Sequence, residues 1–98
     1  MTDFVTGVCR ALSHPVRRAL LQALLRGECD VGNLSAGSGL DQPTASKHLA
    51  TLRSAGLVQV RVDGRRRCYS ITHEEIVQSL LDLLTGLEVQ EAGQVTRC

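Results

Sequence analysis

The segment Asn33–Ile71, NLSAGSGLDQPTASKHLATLRSAGLVQVRVDGRRRCYSI, decides the fold of this chain. Its pattern predicts a short helix, a turn at Gly39, a second helix with a polar outer face, and two strands around a basic tip. That order is typical of a helix-turn-helix with a wing, in which the second helix fits the major groove of duplex DNA. The segment therefore predicts a mainly α fold with a small β-hairpin, a winged helix-turn-helix.

The second helix of this unit has the features of a groove-reading helix. Asp41 is placed to cap it, Pro43 lies in its first turn, and Gly56 follows its end. Spacing of i, i+4 and i+7 predicts one core-facing stripe of Ala45, Leu49 and Leu52. The remaining faces carry compact donors and acceptors that can reach base edges. The candidate DNA contacts on this helix are Gln42, Thr44, Ser46, Lys47 and His48.

The two strands are predicted on either side of Asp63–Gly64, a strong hairpin signal. Arg65, Arg66 and Arg67 follow at the tip, where they would meet phosphates or a flanking minor groove. Strand alternation predicts that Tyr69 and Ile71 cover the core and that Cys68 faces outward.

Three helices are predicted before the hairpin in addition to the groove-reading one, and another after it, which gives the order helix–helix–helix–helix–strand–strand–helix. Thr72 and Glu75 would form a capping box for the last helix. Its apolar stripe is broader than one small domain can cover, so we expect a symmetric dimer along this helix, with the first helix nearby. The alternative is that the helix folds back on its own domain. The residues predicted at the dimer contact are Val8, Ile76, Leu80, Leu83, Leu84 and Leu87.

Length and charge agree with a single DNA-binding domain. The 98 residues predict one domain over residues 1–92 and a flexible tail over 93–98. Residues 42–70 carry six basic residues and one acidic residue, a net charge of +5, whereas residues 71–98 carry one basic and five acidic residues, a net charge of −4. One concentrated basic face is the electrostatic footprint of phosphate binding. We expect no signal peptide and no membrane span, and a cytoplasmic location in which the four cysteines are thiols.

Three stretches resemble the ArsR/SmtB family of small bacterial winged-helix repressors. They are ALSHPVRRALLQALLRGECDVGNL (Ala11–Leu34), GLDQPTASKHLATLRSAGLV (Gly39–Val58) and DGRRRCYSI (Asp63–Ile71), in the family's order and spacing. The resemblance implies a homodimer whose two fourth helices enter successive major grooves of an imperfect palindrome in double-stranded DNA. It also implies an effector that weakens this binding and releases transcription.

The family's metal sites are not reproduced in this sequence. Many members carry two cysteines on the third helix, but Asp30 and Gly32 stand at those positions here, and Cys29 lies one residue early. The zinc-type site on the last helix also fails, because Gly86 and Val89 stand where its later ligands belong.

Cys9 and Cys29 remain as candidate sensing residues. Cys9 lies near the end of the first predicted helix, and Cys29 lies at the loop that leads into the third. In some arsenite-responsive members, a thiol from the N-terminal region of one subunit joins a thiol near that loop in the other, and soft thiolates select soft metals. On that pattern Cys9, Cys29 and Cys98 could bind As(III) or another thiophilic ion as effector, with no required cofactor. Oxidation or persulfide chemistry of the same thiols is an alternative. Another is that Cys9 and Cys29 are small, partly buried apolar residues without a sensing role.

The sequence therefore predicts a homodimeric repressor released by a thiol-directed inducer. The same repressor without a small-molecule effector stays as an alternative. We expect no enzymatic activity, because the sequence has no Gly-rich phosphate loop and no ligand cluster with catalytic spacing.

Overall fold

The computed structural model describes residues 3–87; the predicted tail at 93–98 and Cys98 lie outside this range. The elements are, in chain order, α1 (Phe4–Leu12), α2 (Pro15–Leu24), β1 (Cys29–Asp30), α3 (Val31–Ser38), α4 (Gln42–Ser54), β2 (Val58–Asp63), β3 (Arg66–Ile71) and α5 (Glu74–Thr85). The predicted winged helix-turn-helix is confirmed, with α3 and α4 as the helix-turn-helix and β2–β3 as the wing. None of the helices within residues 3–87 combines the length and the hydropathy that a membrane span requires.

The sheet has three strands rather than the predicted two. Its order is β1–β3–β2, and both pairings are antiparallel. Asp63 pairs with Arg66 around the Gly64–Arg65 tip, and Gly64 adopts the left-handed conformation that this turn requires. The additional strand, β1, pairs Cys29 with Tyr69 and so places Cys29 in a strand instead of a loop.

Short side-chain caps begin four of the helices. Asp3, Asp30 and Asp41 each accept a hydrogen bond from the backbone N–H three residues later, and His14 Nδ1 accepts one from the Val16 N–H. The predicted capping box of α5 is wrong. Helix α5 begins after His73, which makes no side-chain cap hydrogen bond. The Thr72 hydroxyl donates instead to the Gly56 carbonyl at 2.6 Å, linking the end of β3 to the turn between α4 and β2.

Arginine side chains close the other end of α1. Arg17 Nε donates to the Ala11 carbonyl at 2.7 Å, and Arg18 Nη1 donates to the Leu12 carbonyl at 2.6 Å. The last carbonyls of a helix have no partner within it, so these bonds satisfy groups that would otherwise need water. They also fix the junction between α1 and α2.

Aliphatic side chains from all five helices and the inner face of the sheet form the core. Tyr69 and Ile71 cover it, as predicted. Cys68 was predicted to face outward, and it does lie on the opposite face of β3, but it is buried at 4% exposure. The predicted face is therefore correct, but Cys68 is not exposed to solvent, because β3 is the central strand. Asp30 and Arg61 lie beside Cys68 on the two flanking strands, and charged side chains cross over its thiol.

Candidate nucleic-acid interface

Helix α4 is anchored by one face and presents the other to solvent. Ala45, Leu49 and Leu52 are fully buried, as their spacing predicts. The helix packs on α1, α2, α3 and β2, so its orientation is fixed on several sides. Gln42 and Lys47 are exposed, whereas Thr44 and Ser46 are half-buried at the edges of the stripe. Short polar groups on a rigid helix can be placed precisely against base edges.

An open cleft of about 460 Å³ separates the outer side of α4 from the wing. Arg53 lines this cleft from α4 and Arg67 from β3, so two arginines border one concave surface. Its lining is completed by Ser46, Ala50, Ser54 and Tyr69. Sequence reasoning did not assign Arg53 to the site. The signal was its i+7 spacing from Ser46, which places both residues on one side of the helix.

The basic residues of this region fall into a free and a paired set. Within residues 3–87, no hydrogen bond or salt bridge engages the side chains of Lys47, Arg53, Arg65 and Arg67. Arg61 and Arg66, by contrast, are paired: Arg61 with Glu28 and, at 3.8 Å, with Asp63, and Arg66 with Asp30. A phosphate would meet the free set without displacing another anion, which favours these four residues as backbone contacts.

Arg66 was predicted as a wing contact, and the structure places its Nη2 3.0 Å from the Asp30 carboxylate. The pKa of Asp30 is lowered, first by the hydrogen bond from the Asn33 backbone and then by Arg66. Arg66 projects from the outer face of the sheet, beside Cys68, whereas Arg67 projects toward the cleft. The three consecutive arginines therefore do not form a single cluster.

The ring of His48 lies against His14. The two ring centroids are 4.6 Å apart, which ties α4 to the α1–α2 junction. Burial lowers the pKa of His48, and the neighbouring His14 and Arg17 lower it further. This position on the flank of α4 distinguishes His48 from Gln42 and Lys47, whose side chains are exposed.

The described cysteines lie in three different settings. Cys9 is an exposed free thiol on α1, and Cys68 is a buried free thiol. Cys29 is 4% exposed in the core and is disulfide-bonded. Between Asp3 and Leu87, no group of three or more His, Cys, Asp or Glu side chains is arranged to hold a metal ion.

Apolar side chains of α1 and α5 remain uncovered. Ile76, Leu83 and Leu87 are 59%, 72% and 82% exposed, and Phe4 and Val5 on α1 are 68% and 67% exposed. The predicted contact residues Leu80 and Leu84 are partly buried against the core. Val8 is also packed in the core of its own subunit, at 8% exposure.

Known proteins are similar to this chain in sequence. Residues 14–60 match the family described as bacterial regulatory protein, arsR family. The chain is 37% identical to a biofilm growth-associated repressor of Xylella fastidiosa, over 89% of this chain and 76% of that protein. It is 42% identical to a probable mercury resistance operon repressor of Streptomyces lividans, over 91% of this chain and 70% of that protein.

A solved structure agrees with the same assignment. A homodimeric winged helix-turn-helix DNA-binding domain from Mycobacterium bovis, described as a possible ArsR-family transcriptional regulator, superposes with a TM-score of 0.78 at 30% identity. The match covers 92% of this chain and 89% of that one. The sequence resemblance is thereby confirmed, and this chain belongs to the arsR family of bacterial regulatory proteins.

Proposed function

We propose that this protein is a sequence-specific transcriptional repressor that binds an imperfect palindrome in double-stranded DNA as a homodimer. The observation that carries the proposal is the cleft between α4 and the wing, with Arg53 and Arg67 on its two sides. The first turns of α4 supply the groups that read bases, chiefly Gln42, Thr44 and Ser46. The unpaired cations Lys47, Arg53, Arg65 and Arg67 supply the phosphate contacts.

The dimer contact follows from the uncovered apolar side chains of α1 and α5. Phe4, Val5, Ile76, Leu83 and Leu87 supply an apolar face that a second copy would cover. A small monomer rarely leaves this many large apolar side chains in water, and an isologous contact covers both copies at once. The homodimeric state of the Mycobacterium bovis domain supports this arrangement.

Substitution of the base-reading residues tests the sequence specificity. Gln42→Ala and Ser46→Ala should each cost about 1–3 kcal/mol on a duplex selected by the wild-type protein, because each removes a base contact. The cost on random-sequence DNA should be much smaller. Gln22→Ala, an exposed amide on α2, is the matched control and should change neither affinity. Equal losses on selected and random DNA would contradict base reading by α4.

The inducer is proposed to act on thiols, at Cys9 together with Cys29. A soft ion such as As(III) would need both sulfurs as thiolates. In the alternative, an oxidant or reactive sulfur species is the signal and acts on the same cysteines. Both versions place the chemical event next to elements that support α4, since α1 packs on α4 and Cys29 lies in the core.

A DNA-release titration separates these versions. Three reduced proteins are compared while bound to DNA: wild type, Cys9→Ser and Cys29→Ser. Each is treated in turn with arsenite, Zn(II), Cd(II), peroxide and polysulfide. A metal inducer predicts release by arsenite or Cd(II) that either substitution abolishes. An oxidant predicts release by peroxide or polysulfide instead. Release that survives both substitutions would eliminate this thiol pair, and the absence of release by any of these reagents would favour a repressor without such an effector.

A further inference from the structure

Two ion pairs cross the outer face of the three-stranded sheet. Arg61 of β2 donates from Nε and Nη2 to the two carboxylate oxygens of Glu28, at 3.2 and 2.7 Å. Arg66 of β3 donates from Nη2 to Asp30 Oδ2 at 3.0 Å. We call these two pairs the outer clasp. Because Glu28 directly precedes β1 and Arg61 lies on β2, their bond passes over the central strand at Cys68.

The outer clasp connects the wing to the segment that carries Cys29. Glu28 and Asp30 are the residues on either side of Cys29 in the sequence. Both carboxyl groups have lowered pKa values, Glu28 through its bond from Arg61 and Asp30 through its Asn33 backbone bond and Arg66. They are therefore charged at neutral pH and remain available as anions to hold the arginines.

The guanidinium groups of the outer clasp are open to a competing anion. The arginine side chains are 57% and 63% exposed, against 39% for Glu28 and 16% for Asp30, so a phosphate can approach each arginine from solvent. A DNA phosphate is an anion of the same kind as the carboxylates, so each arginine can exchange one for the other. While the clasp is closed, two of the wing's arginines are withheld from the phosphate backbone.

We propose that Glu28 and Asp30 attenuate DNA binding: by holding Arg61 and Arg66 on the outer face of the sheet, they limit the affinity of the wing for DNA of any sequence. The proposal rests on the proposed role of the wing in DNA binding. Phosphate contacts raise affinity for every duplex equally, whereas base contacts do not. Restraining two arginines therefore lowers the affinity for operator and random DNA alike and leaves the ratio of the two affinities unchanged.

Neutral substitutions of the acids test this directly. Asp30→Asn keeps a side-chain oxygen that can accept the Asn33 N–H and so preserves the cap of α3. With a random-sequence duplex, Asp30→Asn and Glu28→Gln should each tighten binding by roughly three- to tenfold at low salt. Each should also steepen the slope of log affinity against log salt by about 0.9, the value for one added phosphate contact. An unchanged slope in both variants would overturn the proposal.

A double-mutant comparison separates a freed arginine from simple loss of a repelling charge. In an Arg66→Gln background, Asp30→Asn should leave the salt slope unchanged, because the arginine that it would free is gone. If the substitution steepens the slope equally in both backgrounds, the effect is long-range repulsion and the proposal fails.

The double variant Arg65→Ala/Arg67→Ala tests whether the wing contacts DNA at all. If that variant keeps the wild-type slope, the proposed wing contact fails. If this double variant makes the salt slope shallower while Asp30→Asn and Glu28→Gln leave it unchanged, the wing contacts DNA but the proposal about the outer clasp fails.

The Cys68 thiol gives a readout that needs no DNA. Its side chain is buried under the outer clasp, so its alkylation rate measured by peptide mapping reports whether the clasp is closed. The double variant Glu28→Gln/Asp30→Asn should react at least several-fold faster at Cys68 and at the wild-type rate at exposed Cys9. Equal rates at Cys68 in wild type and variant would show that these pairs do not hold the arginines in solution.

Discussion

Arg53 lines the same cleft as Arg67 and has no ionic partner within the described residues. Replacing it with Gln should remove one phosphate contact. We therefore expect the slope of log affinity against log salt to become shallower by about 0.9. The loss of affinity should be similar on selected and random duplexes. Arg10→Gln removes the same charge from an exposed position on α1 and should keep the wild-type slope. Equal slopes for all three proteins would remove Arg53 from the interface.

His48 also acts at the scale of a single residue, through its contact with His14. Its lowered pKa means that the unfolded chain takes up a proton before the folded chain does. The free energy of unfolding is therefore unaffected by His48 above the ordinary histidine pKa, and it declines as the pH falls through that value. We expect the urea midpoint of His48→Gln to fall less than that of wild type between about pH 7.5 and pH 5.5. His73→Gln, at an exposed position, should fall as much as wild type. Identical declines in wild type and His48→Gln would contradict this role.

At the scale of elements, the N-terminus of α4 depends on Asp41. Its carboxylate accepts the Thr44 N–H at 2.8 Å. Asp41→Ala should lower the free energy of unfolding by about 1 kcal/mol, whereas Asp41→Asn should stay close to wild type because it can still accept this bond. Urea denaturation of the three proteins measures the difference. An equal loss in both variants would show that charge, and not the cap, stabilises this end of the helix.

The helices, the hairpin and the core stripe of α4 could all be predicted from the sequence, because caps, turns and periodicity are local signals. Strand β1 could not, since two residues are too few to show alternation. The outer clasp depends on strand β1, which brings Asp30 beside β3. Arg66 and Asp30 are 36 positions apart in the sequence, and no local pattern indicates that they meet. The burial of Cys68 was missed for the same reason. The burial of Val8 also had no local signal, because its spacing on α1 fits a core contact and a dimer contact equally.

At the scale of the whole molecule, the uncovered faces of α1 and α5 determine the assembly. Leu83 is 72% exposed, and a charge there would have to be buried in the proposed dimer. We expect Leu83→Glu to raise the dimer dissociation constant at least about thirtyfold, since a buried leucine contributes roughly 2 kcal/mol. Thr85→Glu adds the same charge to an exposed position on the other side of α5 and should leave the dimer intact. Sedimentation velocity distinguishes these outcomes, and a monomeric wild type would contradict the dimer.

The central claim is that one face of the molecule, formed by α4 and the wing, receives duplex DNA. Amide hydrogen exchange of the wild-type protein, with and without a duplex selected from a random pool, maps that face directly. The account predicts added protection concentrated in residues 42–54 and 58–71, with α2 exchanging as in the free protein. Protection concentrated on α1, α2 or α5 and absent from α4 and the wing would contradict it.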